Sequence, residues 1–358
     1  MDATCLDPAA FATMDTAMPD TAAATVPQPA AQAATQAAAQ AATQAAAQAA
    51  AQAAPQATSR PAAADFGISL GPLLYYWPRE RVLQFYASVA DAPVDRVYLG
   101  ETVCTRRHEL RHAQWLEIAQ MLRDAGKEVV LSTPVLVESD TDIAWMRRAC
   151  DQHGYLVEAN DLGAVRCMGG RPFIAGPHLN VYHADTLAWL AKQGAAGCVV
   201  PVEMDGRTLA ALAAARPGGT TVEAFVWGRM PLAFSARCFT ARHHRLRKDS
   251  CEFRCMDYPD GLVAATGEGQ AFFTLNGVQT QSATCLDLCG EALAMAAMGV
   301  DLLRVSPHST GTLEVVQQLA AIRAGARAPA PSGIVPAGAQ PCNGYWHGSA
   351  GIAWEARA

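Results

Sequence analysis

Glu128-Val129-Val130-Leu131-Ser132 and Gly197-Cys198-Val199-Val200-Pro201-Val202 are short stretches that are continuously apolar at their centres. A strand with one wet face alternates apolar and polar residues, whereas a parallel strand covered on both faces does not. Six further runs have the same length and setting: Ile68 to Tyr76, Arg96 to Gly100, Tyr155 to Glu158, Pro172 to Ala175, Thr221 to Trp227 and Leu302 to Ser306. Helical patterns separate them. Val82, Phe85, Tyr86 and Val89 share one face of a helix behind Pro78, a residue suited to a first helical turn, and Trp115, Ile118, Ala119 and Leu122 repeat that spacing before Gly126. Eight strands joined by helices predict an α/β fold, a (β/α)8 TIM-like barrel; a doubly wound open sheet is the second choice.

One connection breaks the rhythm. Between the seventh and eighth runs lies a long insertion, far more chain than a helix needs, and such insertions usually carry function. It contains Cys238, Cys251 and Cys255 in the stretch SARCFTARHHRLRKDSCEFRC. Thiolates spaced this closely can converge on one soft metal centre. Cys104, in YLGETVC just past the second strand, would stand at the same end of a barrel and is the fourth candidate ligand. Arg237, Arg242, Arg247, Lys248 and Arg254 supply positive charge for a cluster of net negative charge. A four-cysteine zinc site uses the same ligands and stays open on spacing alone, although zinc more often pairs its cysteines as CxxC.

The other cysteines have plainer readings. Cys150, Cys167 and Cys198 lie in or beside apolar segments, where a free thiol packs like a small core side chain. Cys285 and Cys289, one helical turn apart, could form a second half-site, but Leu286 and Leu288 suit a packed element. Cys5 and Cys342 fall in expected tails. At the strand ends Glu101, Glu158, Asp161, His178, Asn180 and Glu203 would ring a barrel mouth as a substrate pocket, although each could serve as a capping or loop residue.

Composition bounds the rest. The chain has 358 residues, 51% of them hydrophobic, and a formal net charge of -6, which gives little general attraction to nucleic acid. No stretch has the length and apolarity of a membrane-spanning helix, and no Lys or Arg precedes Arg60, the wrong pattern for a secretory signal. Eleven cysteines without an export signal favour metal or redox chemistry over a disulfide framework, and the expected location is cytoplasmic. Residues 1–64 read as an Ala/Gln-rich, low-complexity leader expected to be disordered, residues 65–325 as the barrel domain with the metal site, and residues 326–358 as a C-terminal tail. No phosphate-binding glycine loop is present; the string GxSxG occurs at residues 67–71 and HExxH at residues 108–112.

SLGPLLYYWPRE, DRVYLGETVC, VLSTPVLVES, EANDLGAVR, PLAFSARCFTARHH, DSCEFRC, FTLNGVQTQS and RVSPHSTGT occur in this order from about Ile68 to Thr312. Together they resemble the UbiV proteins, an iron-sulfur branch of the collagenase-like peptidase family. The resemblance implies a barrel-like fold and one 4Fe-4S cluster, with the family's ligand cysteines falling on Cys104, Cys238, Cys251 and Cys255. It also implies a heterodimer with a UbiU-like paralogue that supports oxygen-independent ring hydroxylation in ubiquinone biosynthesis. Prephenate would be the oxygen donor and a lipid-carrier accessory protein a further partner. Two alternatives stand beside it: RNA base hydroxylation, the task of other branches, and a non-catalytic scaffold stapled by zinc. Peptidase activity is not expected, because no nucleophile-base pair is recognisable.

Overall fold

The computed structural model describes residues 65–356. The expected leader and Cys5 lie outside them. Eight parallel strands close into a barrel: β1 (Gly67–Leu70), β2 (Arg96–Leu99), β3 (Glu128–Ser132), β4 (Leu156–Ala159), β5 (Phe173–Ala175), β6 (Ala195–Val199), β7 (Thr221–Phe234) and, after the insertion, β11 (Leu302–Val305). β11 completes the circle by pairing with β1 on one side and β7 on the other. The TIM-like reading is therefore correct and the open sheet is excluded.

All eight expected runs contain a strand, and the differences lie at the ends. The first apolar run extends to Tyr76, but β1 stops at Leu70. Pro72 lacks the N–H that a ladder needs, and Gly71 to Trp77 continue as a buried loop, apolar because it is covered.

Helices α1 (Arg79–Asp91), α2 (His112–Asp124), α3 (Asp140–Cys150), α4 (Leu162–Met168), α5 (Ala184–Lys192) and α6 (Gly206–Ala214) follow β1 to β6 in turn. α1 turns Val82, Tyr86 and Val89 inward, and α2 turns Trp115, Ile118, Ala119 and Leu122 inward. Pro78 is the residue just before α1, where its fixed φ costs nothing. Ala125 and then Gly126, at φ +81°, end α2. Leu122 is fully buried, so Leu122→Ala would cost about 2–5 kcal/mol through lost transfer energy and the cavity left behind.

The insertion is a second structure grown from the barrel wall. β7 runs on beyond the barrel, and its outer half pairs antiparallel with β10 (Gln279–Asp287), which pairs with β9 (Ala271–Asn276), itself paired with β8 (Leu262–Ala265). Gly228 marks the transition in β7. Its φ is +130°, and a Cβ there would stand 2.7 Å from that of Ser306, so a side chain is excluded both by conformation and by space. α7 (Phe239–His243) lies between β7 and β8, while α8 (Ala292–Ala297) leads to β11 and α9 (Thr312–Arg323) follows it.

The last stretch packs onto the barrel. β12 (Pro341–Cys342) pairs with β10, and Cys342, expected in a tail, is fully buried in the main core. Tyr345 and Trp346 pack against that same core. The position follows from the ladder: Leu286 opposite Cys342 draws the thiol under the sheet.

The barrel lumen is not apolar throughout. Tyr98, Val130, Ile174 and Val199 form one inner cluster, and four charged residues share the space. Arg304 on β11 donates from Nε to Glu223 at 2.5 Å and from Nη1 to Glu158 at 2.8 Å, while Arg96 reaches Glu223 at 3.4 Å. Ser69 and Tyr98 also donate to Glu223, at 2.7 and 2.6 Å. Burial alone would raise the pKa of Glu223, but Arg304 and Arg96 outweigh it and hold the carboxyl below its ordinary value. Removing either partner would strand a buried charge, at about 3–5 kcal/mol.

Candidate functional site

Cys104 lies five residues beyond β2 in a turn that Gly100 makes possible. Gly100 sits at φ +133°, and a Cβ there would meet the carbonyl oxygen of Ser132 at 2.7 Å. The chain then folds back so that Glu101 accepts hydrogen bonds from the amides of Val103 and Cys104, both at 3.2 Å. Glu101 was expected on the barrel mouth; it is buried and turned towards the cysteines instead, because those two amides and Arg107 claim its carboxylate.

Cys238 caps α7, its sulfur accepting from the amide of Ala241 at 3.4 Å. The segment is pinned to the β9–β10 turn: Phe239 N–H donates to Gly277 at 2.9 Å, and the Thr240 hydroxyl accepts from the Gly277 amide at 3.0 Å. Between Cys251 and Cys255 the backbone is tightly coiled, with Glu252 and Phe253 both left-handed at φ +51° and +53°. Each such residue costs about 1 kcal/mol or more, so the surroundings must hold the turn. They do so through Phe253, whose ring stacks edge-on to His108 at 4.5 Å, and through Arg106, which grips the Asp249 carboxylate at 2.8 Å and its carbonyl at 2.7 Å. The stretch after β2 and the insertion are thereby clasped together.

Arg107 stands at the centre of this arrangement. It is 3% exposed, donates to the Leu74 carbonyl at 2.7 Å and to Asn276 at 2.8 Å, lies 3.4 Å from Glu101, and hydrogen-bonds Cys255. The four half-buried thiols interact pairwise: Cys104 with Cys255, Cys238 with Cys104 and with Cys251, and Cys255 with Cys238. Burial pushes the Cys104, Cys238 and Cys255 thiols above their usual value, while Arg107 pulls each of them back towards the thiolate. Among the described residues no three of His, Cys, Asp and Glu stand in the close geometry of a single-ion site. Leu74, Val103 and Val278 form an apolar cluster against Cys104 and Cys238. The donor set thus fits a soft, anionic, thiolate-bound group: four thiols, a dry wall and one buried cation.

Arg107 was missed in the sequence, where five cations of the insertion were named. Lys248 instead pairs with Glu138, and Arg254 with Asp257 at 3.2 Å. The available signal was position: Arg107 is three residues past Cys104, and a turn at that spacing brings its side chain back over the thiol.

The barrel mouth holds the second part of the site. Glu158, His178, Asn180 and Glu203 line one chamber of about 140 Å³, and Asp161 lines an adjoining compartment of about 460 Å³. Asp161 also caps α4, accepting from the amide of Gly163 at 2.6 Å, and Glu203 accepts from the Tyr182 hydroxyl. Burial and the nearby Arg304 guanidinium lower the pKa of His178 to about 4, so its ring is neutral at physiological pH. Sequence reading overlooked Arg304, Ser306, Asn160 and Thr102, which line the same chamber. A lone charge in the otherwise apolar run Leu302-Leu303-Arg304-Val305 was the visible hint, since an unpaired Arg is rarely buried.

No helix among the described residues is long and apolar enough to cross a membrane. Among solved structures, the chain is similar to the U32 peptidase Mk0906, at 11% identity over 72% of this chain and 98% of that one, with a TM-score of 0.40. It is also similar to dihydropteroate synthase from Burkholderia cenocepacia, at 14% identity over 72% and 92% and a TM-score of 0.37. A third is the spore coat polysaccharide biosynthesis protein spsE of Bacillus subtilis, at 8% over 72% and 68% and a TM-score of 0.34. The sequence profile of peptidase family U32 matches residues 80–327, well over half of the chain, and the protein belongs to that family.

Proposed function

We propose that this chain is the 4Fe-4S subunit of an oxygen-independent hydroxylase in ubiquinone biosynthesis, with Cys104, Cys238, Cys251 and Cys255 as the cluster ligands. The observation that carries the reading is the quartet itself: four half-buried thiols from two distant stretches, Cys104, Cys238 and Cys255 beside the buried Arg107 and Cys251 beside Cys238. A tetrahedral zinc ion with Zn–S bonds near 2.3 Å needs its sulfurs within about 3.8 Å of one another. A cluster bound by four thiolates carries about -2 in charge, and Arg107 supplies the compensating cation next to Cys255 and Cys104.

When bound, the cluster would supply electron transfer or activation of an oxygen donor. The chain's own residues hold and shield it: Glu101 fixes the Cys104 turn, Asn276 and the Leu74 carbonyl fix Arg107, and Leu74, Val103 and Val278 limit water. On this reading the partner is a UbiU-like paralogue, the oxygen donor is prephenate, and a lipid-carrier protein presents the substrate. The sequence motifs shared with UbiV proteins support these assignments.

The test is iron and sulfide content, with a visible spectrum, on protein purified without oxygen. About four irons per chain, lost in Cys104→Ala, is the expected result. Zinc bound to the same residues would overturn the reading in favour of a stapled scaffold.

A further inference from the structure

Away from the four candidate ligands, two thiols meet in the outer layer of the barrel. Cys150 is the last residue of α3, and Cys167 is the last but one of α4. Their side chains hydrogen-bond one another. The backbones are held side by side as well: Nη2 of Arg171 donates to the Cys150 carbonyl at 2.6 Å and reaches the Cys167 carbonyl at 3.5 Å, while its Nε donates to the Met168 carbonyl at 3.2 Å. One guanidinium thus fixes both cysteines in register and places positive charge beside them.

The pair is unequal in access. Cys150 is fully buried, its sulfur 3.9 Å from the Ala164 carbonyl, whereas Cys167 is half-buried and packs against the core that holds Cys150. Burial first, and the neighbouring Cys167 second, push the Cys150 thiol up to about 12, so it keeps its proton. An accessible sulfur beside a cation is the one an oxidant reaches, and a second thiol in contact with it can then resolve the product. Cys285, Cys289 and Cys342 also lie near one another, but all three are fully buried and offer no such entry. The ends of α3 and α4 have room to adjust: turns follow Cys150, and Gly169 and Gly170 follow Met168 at φ +57° and +86° with open space around them. Small shifts there can carry the sulfurs from hydrogen-bond contact to bonding geometry.

We infer that Cys150 and Cys167 form a reversible disulfide when the protein meets a peroxide, a redox site separate from the four-thiol site. The Cys167 sulfur attacks the peroxide: an S–O bond forms, the O–O bond breaks, and the departing oxygen takes the thiol proton to leave as water. The Cys150 sulfur then attacks the sulfenic sulfur of Cys167. The S–S bond forms, the S–O bond breaks, and the hydroxyl leaves with the Cys150 proton as a second water. The two sulfurs supply the two electrons that reduce one peroxide, and a small dithiol returns them to thiols. Barrel helices run opposite to the strands, so the C-terminal ends of α3 and α4 stand at the end away from the mouth and from Cys104. The pair needs no metal, and the inference does not rest on the proposed function.

The test treats the full chain, purified without oxygen, with hydrogen peroxide, then blocks free thiols by alkylation and digests with trypsin. Cleavage after Arg166 parts the two cysteines, so the bond shows in the mass spectrum as Ala149–Arg166 joined to Cys167–Arg171. The joined species should account for most of both peptides after peroxide and disappear on treatment with dithiothreitol. Cys150→Ser should strand Cys167 as a sulfenic acid and raise its labelling by dimedone several-fold over the parent. Cys167→Ser should leave Cys150 a free thiol and the iron content that of the parent. Absence of the joined species from the parent, or joining of Cys150 and Cys167 mainly to other cysteines, would overturn the inference without any variant being needed. Loss of iron in Cys167→Ser would overturn the separateness of the two sites, whereas a parent without iron would count against the metal reading alone.

Discussion

Two groups of cysteines in this molecule have opposite surroundings. Cys104, Cys238, Cys251 and Cys255 are half-buried, and Arg107 acts on Cys104, Cys238 and Cys255. Cys285, Cys289 and Cys342 are fully buried, and the charged neighbour common to all three is Asp287, with Arg229 also near Cys285. Burial and Asp287 push the Cys285 and Cys289 thiols far above the usual range, and Cys342 up to about 11, so this second group stays protonated. Asp287 itself is occupied with architecture, accepting from the amides of Cys289 at 3.2 Å and Ser332 at 2.7 Å. Spacing alone does not separate the two groups; access and the charge they share do.

The sharpest way to break this contrast is to exchange the outcomes. Cys238→Ala or Cys251→Ala should remove essentially all iron from protein purified without oxygen, whereas Cys285→Ala should leave iron content unchanged. The reverse pattern in elemental analysis would refute the ligand assignment. Next in size is Arg107→Met. It leaves Glu101 buried beside the thiols without its cation, and urea unfolding should show a loss of about 3–5 kcal/mol, together with reduced iron.

The dry side should reject positive charge as firmly as it rejects thiolates. His308, 1% exposed and bonded to the Tyr75 hydroxyl at 2.9 Å, has its pKa lowered by burial from 6.5 to about 4. The unfolded chain then binds the proton first, so this contribution to stability is complete above pH 6.5 and is lost as the pH falls towards 4. Between pH 7 and pH 5 the loss is about 2 kcal/mol, and it should be absent from the difference measured for His308→Asn. The smallest effect belongs to Cys289→Ala: about 1 kcal/mol of stability for the lost packing, seen as a small shift in urea midpoint, with iron content intact.

The fold was legible because both faces of every barrel strand are covered. Val129-Val130-Leu131 and Cys198-Val199 had to read as unbroken apolar runs, and strand ends blurred only where a covered loop such as Leu73 to Trp77 is equally apolar. Cys342 was misplaced because a two-residue strand carries no periodicity. The thiols could be singled out by spacing, but their surroundings could not. Arg107 and Arg304 act through partners far along the chain, Asn276 for one and Glu158 and Glu223 for the other, and no local pattern announces such pairings. Glu101 was read as facing the mouth because it follows a strand; the direction of its carboxylate is set by two amides in a turn whose shape depends on Gly100.

The closure of the barrel bears on how the protein is made. β1 is the first of the eight strands to leave the ribosome and its partner β11 the last, while all four candidate ligands precede β11 in the chain. Until β11 arrives, both β1 and β7 expose ladder edges, and pairings this distant in sequence form slowly because loop entropy must be overcome first. The nascent chain therefore holds all four candidate ligand thiols next to two open sheet edges. At about 5–20 residues per second that exposure lasts for seconds, a period in which chaperone binding would guard against aggregation and premature oxidation alike.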